Sequence, residues 1–450
     1  MTIDRDAWQA RLDDLASPDS LPGLSLGILS DGEVHTFASG VLNLATAVDA
    51  TPDSVFQIGS VTKAYTATLL LMLADDGLLD LDAPLVSVMP ELAWGDAAAR
   101  EAVTARHLLT HTSGIDGDHF LDLGRGEDVL ERYVATCGEL AQVFAPGAAW
   151  SYSNTGFAIA GRLIERVTGL TYDEALAQRL LRPLGMTHSC TLPEEALRHR
   201  AAFGHVPGAD GLELAPLVAT PRTMGSAGGL AASAADVLAF ARLYLDGGTG
   251  PGGGRLLSES AVAAAFAPAV RVPDPSLADD WGLGFMLRTW DGTRITGHDG
   301  GTVGQGASLR ILPDHGTAVV VLGNGPGLGA AMESLTATAI EEICGIRPPA
   351  PLEPSTGAAD VSEWAGVYER VNMRIAVSDA PSGAPAVQID IGGLAAESLG
   401  RDSFSGTIRQ AADGTFLTDA LGAFMPIVPF SLSDGTRCLH FAGRAQPEVR

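Results

Sequence analysis

The stretch from residue 58 to 70 reads IGSVTKAYTATLL, and Lys63 within it is the only lysine in the 450-residue sequence, the rest of the 28 Lys plus Arg being arginine. A guanidinium keeps its proton at any workable pH, whereas an ammonium that is desolvated or set near other cations can release it and become a base. Ser60 precedes Lys63 by three residues, a spacing that puts both side chains on one face of a helix. A hydroxyl beside a neutral amine is an activated nucleophile. The competing account is a sequence rich in arginine codons that retained one lysine by chance.

Two later segments carry complementary groups: Tyr152-Ser153-Asn154, and His298-Asp299-Gly300-Gly301 in a β-type region. Each is weak alone, but their order after Ser60-x-x-Lys63 is far less common by accident. Two other patterns are set aside. Gly23-Leu24-Ser25-Leu26-Gly27 matches GxSxG, yet Ser25 stands inside a strand running into the turn Ser30-Asp31-Gly32 and lacks the helix that a nucleophile elbow needs. His107 and His111 are four apart and His119 follows, but no Glu stands between them as in HExxH. Thr112-Ser113-Gly114 then breaks the helix, so packing and capping roles are expected, with neither metal nor cofactor.

The elements that must position these residues follow from periodicity. LSLGILSDGEVHTFASGVL reads as a hairpin at a sheet edge, and AYTATLLLMLADDG as a helix apolar nearly all round, hence buried. Helical patterns dominate from about 100 to 245, β-type runs return at 281 to 323, and a last helix occupies roughly 327 to 344. The pattern predicts an α+β domain over 1–347, with helices flanking a sheet built from both ends of that segment. The proline-rich RPPAPLEPSTG predicts a linker at 348–357. Short β runs with Gly and Asp turns predict a small antiparallel barrel or sandwich over 358–450.

A formal charge of −26 and a pI near 4.6 argue against nucleic acid and against an anionic membrane surface. The charged segment MTIDRDAWQARLDDLASPDS lacks a signal-peptide core, and no run of 18 apolar residues occurs, which predicts a cytoplasmic protein. Cys137, Cys190, Cys344 and Cys438 form no CxxC pair and are read as buried thiols. The expected partner is a small ester, amide or peptide acyl substrate, bound by a chain read as a monomer.

Taken together, these boxes resemble those of the serine β-lactamase and penicillin-binding-protein superfamily, on the branch holding class C β-lactamases, D-aminopeptidases and related esterases. The resemblance spans about residues 10 to 345 and includes TARHLLTHTSGI, FAPGAAWSYSNTGFAIAGRLIERVTG, RPLGM and GSAGGLAASAADVLAFARLYLDGG. It implies a β-lactamase/transpeptidase-like antiparallel sheet with a helical subdomain. It implies that Ser60 attacks a carbonyl with Lys63 and Tyr152 as bases, that Asn154 holds Lys63, and that the backbone N–H groups of Ser60 and Gly301 form an oxyanion hole. Glycine at 301 is expected to let the strand come close. Where β-lactamases carry Lys-Thr-Gly this chain has His298-Asp299-Gly300, so the cation that greets a β-lactam carboxylate is missing. His298 is then read as a site residue, the alternative being a hydrogen-bond donor that orients Tyr152. Three functions fit: an acyl-enzyme hydrolase of esters, amides or D-residue peptides; an acyltransferase; and a catalytically silent binding protein. The second resembles stand-alone penicillin-binding-protein-type thioesterases, which carry a lipocalin-like C-terminal barrel and cyclise peptides from a peptidyl thioester. On that reading Asp299, Gly300 and Arg444 help place the peptide, Arg444 being otherwise an exposed charge.

Overall fold

A computed structural model describes residues 3–379, 385–393, 396 and 401–449; the expected domain limits at residues 1 and 450 lie outside the described residues. The hairpin Gly23–Ser30 and Glu33–Gly40 turns on Asp31 and Gly32, with φ of 52° and 78°, the left-handed pair that a tight twisted hairpin requires. It occupies one edge of an eight-stranded antiparallel sheet. The order continues through Thr317–Gly323, Gln305–Leu312, Thr293–Thr302, Met286–Trp290, Asp280–Trp281 and Val270–Arg271. Both ends of the catalytic segment therefore supply the sheet.

Alternation along the strands sends side chains to two cores. Val319 and Val321 join Trp8, Leu12, Leu335 and Ala339 of the helices Arg5–Leu15 and Leu328–Cys344 on one face. Val320 and Leu322 join Val237 and Leu238 of the helix Ala234–Leu245 on the other, in the core that also holds Thr62–Asp75. Every residue from Thr62 to Leu73 is buried, as the apolar pattern predicts. The threonines inside it hydrogen-bond rather than stand free: Thr66 Oγ1 donates to the carbonyl of Ser226 at 2.7 Å.

The second sheet is an up-and-down meander of strands running from Gly366–Arg370 to Arg444–Pro447. Val449 N donates to Val367 O at 2.8 Å, and Tyr368 bridges Glu448, so first and last strands meet in a nearly closed barrel. Ala386–Ile391 alternates buried and half-buried positions, and Tyr368, Ile375, Ile389, Leu417, Ile427 and Leu439 fill the interior. Pro354–Ala358 pairs with Ser403–Ala411 as a further barrel strand, so the segment expected to be linker at 348–357 already enters the barrel in its last residues.

Close approach of backbones decides which glycines matter at the junction of sheet and central helix. A Cβ on Gly300 would overlap the carbonyl of Ile58 and come within 2.7 Å of Ser60 N, and one on Gly59, whose φ is 50°, would lie 2.5 Å from Gly301 N. A Cβ on Gly301 would meet nothing within 4 Å. The expectation that Gly301 admits the strand is thus corrected: Gly300 and Gly59 do so. Gly300→Ala should lose more than about 2 kcal/mol of unfolding free energy, while Gly301→Ala should stay within about 0.5 kcal/mol of the parent, as read by denaturant titration.

Candidate active site

Ser60 lies in the single turn Gly59–Val61 that feeds directly into Thr62–Asp75, and Lys63 sits one turn on, fully buried. Lys63 Nζ is 3.0 Å from Ser60 Oγ, 2.7 Å from Asn154 Oδ1 and 2.7 Å from the carbonyl oxygen of Ala227. The last two atoms can only accept. An uncharged amine has two N–H bonds and one lone pair, so donation to both acceptors leaves the lone pair for the Ser60 hydroxyl. Burial pushes Lys63 well below the ordinary lysine value, the nearby Arg444 cation adds to this, and Asp118 opposes it.

Tyr152 and Asn154 are delivered by the start of the helix Asn154–Thr168, whose first turn is capped by Ser153 Oγ accepting from Gly156 N at 2.9 Å. Tyr152 hydrogen-bonds Ser60, and its ring centroid is 4.8 Å from Lys63 Nζ. Burial raises the Tyr152 phenol, and its hydrogen bond to Ser60 only partly offsets this, so the hydroxyl keeps its proton. His111 ties the same corner together. Its Nδ1 accepts from Ser153 N at 3.0 Å and its ring lies against Tyr152, centroids 4.3 Å apart. His107 closes a capping box with Thr104, and His119 Nε2 is 3.1 Å from Thr136 Oγ1. Among the described residues no cluster of His, Cys, Asp and Glu is arranged to hold a metal ion.

His298 faces the same centre from the strand Thr293–Thr302, at 6.2 Å between ring centroids from Tyr152 and 5.3 Å from Trp281. Its Nδ1 is 2.5 Å from the Asp299 carbonyl and donates there, so Nε2 of the neutral ring carries no proton. Burial, the largest cause, holds His298 down to about 3. The alternative in which His298 orients Tyr152 by donating a hydrogen bond is therefore corrected: Nε2 has no hydrogen to give and no partner among the described residues. Asp299 is committed elsewhere, its carboxylate accepting from Arg310 at 2.7 and 2.9 Å and from Arg288 at 3.0 Å. Ser25 is a strand residue whose hydroxyl donates to the Phe37 carbonyl at 3.1 Å.

Arg444 is not a free surface charge. Its side chain is 23% exposed and chelates Asp118, with Nε and Nη2 each 3.1 Å from a carboxylate oxygen, and its guanidinium stands 4.8 Å from the centre of the Tyr152 ring. The barrel inserts it through the two-residue turn Ala442-Gly443, with φ of 48° and 79°, while Gly443 O accepts from Tyr152 N at 2.8 Å. Sequence reading missed Asp118 and Arg370. Asp118 Oδ1 accepts from Asn154 Nδ2 at 2.9 Å, and Arg370 Nη2 reaches Asp118 Oδ2 at 2.9 Å. The acidic turn Asp116-Gly117-Asp118 is visible in the sequence, but its barrel partners stand more than 250 positions away, as in the 326-residue separation of Arg444 from Asp118.

A beta-lactamase family profile matches residues 8–341, three quarters of the chain. The chain belongs to the beta-lactamase family. The penicillin-binding protein 4 of Amycolatopsis lactamdurans is 42% identical over 379 residues, covering 82% of this chain and 99% of that protein. The crystal structure of SurE superposes with a TM-score of 0.80 at 28% identity over 99% of both chains, and the structure of SurE with D-Leu gives 0.77. A D-stereospecific amidohydrolase from Streptomyces sp. aligns at 26% identity and a TM-score of 0.60, over 76% of this chain and 99% of that one. The protein is thus a serine hydrolase-type member of that family, and no helix among the described residues is long and apolar enough to cross a membrane.

Replacing Lys63 with Arg should slow acylation by about a hundred- to ten-thousandfold with the fold intact, measured by intact-mass kinetics with an acylating probe. His440, held down to about 3 by burial and by Arg444, has neither ring nitrogen partnered among the described residues. An unfolded histidine binds its proton near pH 6.5, so only the unfolded chain takes it up as pH falls, and stability is lost below about 6.5. His440→Leu should flatten this decline, read as the change in melting temperature between about pH 7 and pH 4.

Proposed function

We propose that the protein is an acyl-enzyme hydrolase or acyltransferase in which Ser60 is the nucleophile and Lys63 the base. The observation that carries this reading is the Lys63 amine, buried, with two obligate acceptors at 2.7 Å and the Ser60 hydroxyl at 3.0 Å. The Ser60 proton passes to Nζ as Oγ bonds the acyl carbon, and the carbonyl oxygen takes the negative charge. The N–H groups of Ser60 and Gly301 then stabilise it, at about a hundred- to a thousandfold in rate per donor. When the tetrahedral intermediate collapses, the leaving group departs with a proton from the Lys63 ammonium, and water or an amine repeats the sequence in reverse. Tyr152, whose hydroxyl retains its proton, donates a hydrogen bond at the reacting oxygen rather than abstracting one. Asn154 orients Lys63.

The substrate is read as an acyl compound larger than a single amino acid. The cavity containing Ser60 has a volume of about 1430 Å³ and continues past Arg288 and Arg310 to the barrel residues Ile389, Ile391, Leu421 and Phe424. Likeness to SurE across the barrel as well as the catalytic part, the D-Leu in that protein's second structure, and the D-stereospecific amidohydrolase support a substrate with a D-residue at the acyl carbon. The second reading is transfer of the acyl group to the peptide's own amine by a thioesterase with a lipocalin-like barrel, and the barrel residues that line the same cavity as Ser60 support it. A neutral His298 in place of a lysine supports neither penicillin capture nor its hydrolysis. Four free cysteines suit the reducing cytoplasm.

A phosphonate probe should add to Ser60 and to no other residue, located by peptide mass spectrometry; labelling elsewhere would sink the mechanism. Supplying a linear peptidyl thioester with a C-terminal D-residue and weighing the products separates the two readings, since hydrolysis gives the linear acid and transfer gives a ring one water lighter.

A further inference from the structure

The amide of Asn154 can help Lys63 only if its oxygen, and not its NH2, faces the amine. Asp118 settles that orientation. Its Oδ1 accepts from Asn154 Nδ2 at 2.9 Å, which turns Asn154 Oδ1 toward Lys63 Nζ at 2.7 Å. The carboxylate is held in turn by the barrel on both sides, with Arg444 at 3.1 Å and Arg370 at 2.9 Å. The loop that carries it is pinned the same way. Val371 N donates to Asp116 Oδ2 at 2.8 Å, and Asn154 N donates to Gly117 O at 2.8 Å. Asp118 is 7% exposed; it lines the cavity together with Arg370 and Arg444, and its hydrogen-bonded link to Lys63 runs through Asn154.

We infer that Asp118 is a positioning residue through which the C-terminal barrel fixes the amide of Asn154, and so aims the lone pair of Lys63 at Ser60. The barrel is then part of the proton-transfer apparatus and not only a wall of the cleft. This rests on the Ser60–Lys63 reading above. An aspartate with two arginines is a stiff support: burial would raise its pKa, but Arg444 and Arg370 more than reverse this and keep it ionised. An outer partner of this kind, when removed, typically costs about ten- to a hundredfold in activity.

The charges around Lys63 make the inference testable by a readout that a merely structural role would not move. Lys63 is faced by Tyr152 and Asn154 from one segment, by His111 from the loop after Ala105–Leu109, and by His298 from the strand. Asp118, Arg444 and Arg370 stand behind Asn154. Both histidines are neutral, so the charged neighbours are Asp118, which favours the ammonium, and Arg444, which disfavours it.

The experiment is the pH dependence of phosphonate labelling of Ser60 in the full chain, with peptide mass spectrometry placing the adduct. Asp118→Asn should label about ten- to a hundredfold more slowly at its optimum, with the acid limb moved to lower pH; Asp118→Glu should recover part of the rate. Arg444→Met should move the acid limb to higher pH. Opposite movements in the two variants support the proposal, and folded variants with the parent's rate and limb overturn it. If Asp118→Asn does not fold, Arg444→Met decides alone, an unmoved limb counting against. A parent chain labelled away from Ser60 removes the reading beneath the proposal, whereas a parent labelled at Ser60 with indifferent variants removes the proposal only.

Discussion

Everything at the centre of this protein depends on keeping one primary amine out of water. A buried ammonium costs several kcal/mol unless it is paired or sheds its proton, and among the described residues no carboxylate hydrogen-bonds Lys63. It is surrounded by oxygen atoms that accept hydrogen bonds and by aromatic faces, a setting in which the uncharged form is the cheaper occupant. The same physics accounts for a lysine rather than an arginine at this one position. Arginine cannot lose its proton, so it can serve everywhere in the chain except here.

The positive charges nearby are placed to help. Arg444 lies close enough to disfavour a second cation at Lys63, yet its own charge is compensated by Asp118, so the site does not become a region of net repulsion. A similar economy operates on the far strand, where Asp299 is spanned by Arg288 and Arg310 while the adjacent His298 remains neutral. Both acidic residues stay ionised through their guanidinium partners and neither competes for the serine proton. The chemistry is left to groups that are uncharged at rest.

The β-lactamase-like fold and the clustering of Ser60, Lys63, Tyr152 and Asn154 were legible in the sequence because both rest on local signals. Ser60 and Lys63 are one turn apart, Tyr152 and Asn154 flank a helix cap, and the apolar run after Ala64 can be nothing but a buried helix. What stayed hidden depends on contacts between residues far apart in the chain. Asp118 carries no motif of its own and gains its role only when Arg370 and Arg444 come down on it from the barrel. Gly301 was credited with a close approach that Gly300 and Gly59 make, because the strand's side-chain register was not in the sequence pattern. Likewise Arg444 reads as a surface charge until the turn at Ala442 and Gly443 is known to reach Tyr152.

The sheet places Gly23–Ser30 beside Thr317–Gly323, with Leu24 opposite Gly323 and Leu29 opposite Ala318. Nearly the whole segment between them must therefore be looped out before this pair can form, whereas Met286–Trp290, Thr293–Thr302, Gln305–Leu312 and Thr317–Gly323 pair as successive hairpins at little cost in loop closure. The strand bearing His298 and Gly301 is interior to this arrangement, separated from Gly23–Ser30 by Thr317–Gly323 and Gln305–Leu312. That pairing of distant strands ties the edge of the sheet to everything between them, so a cut anywhere in that span turns an intramolecular pairing into an association of two fragments.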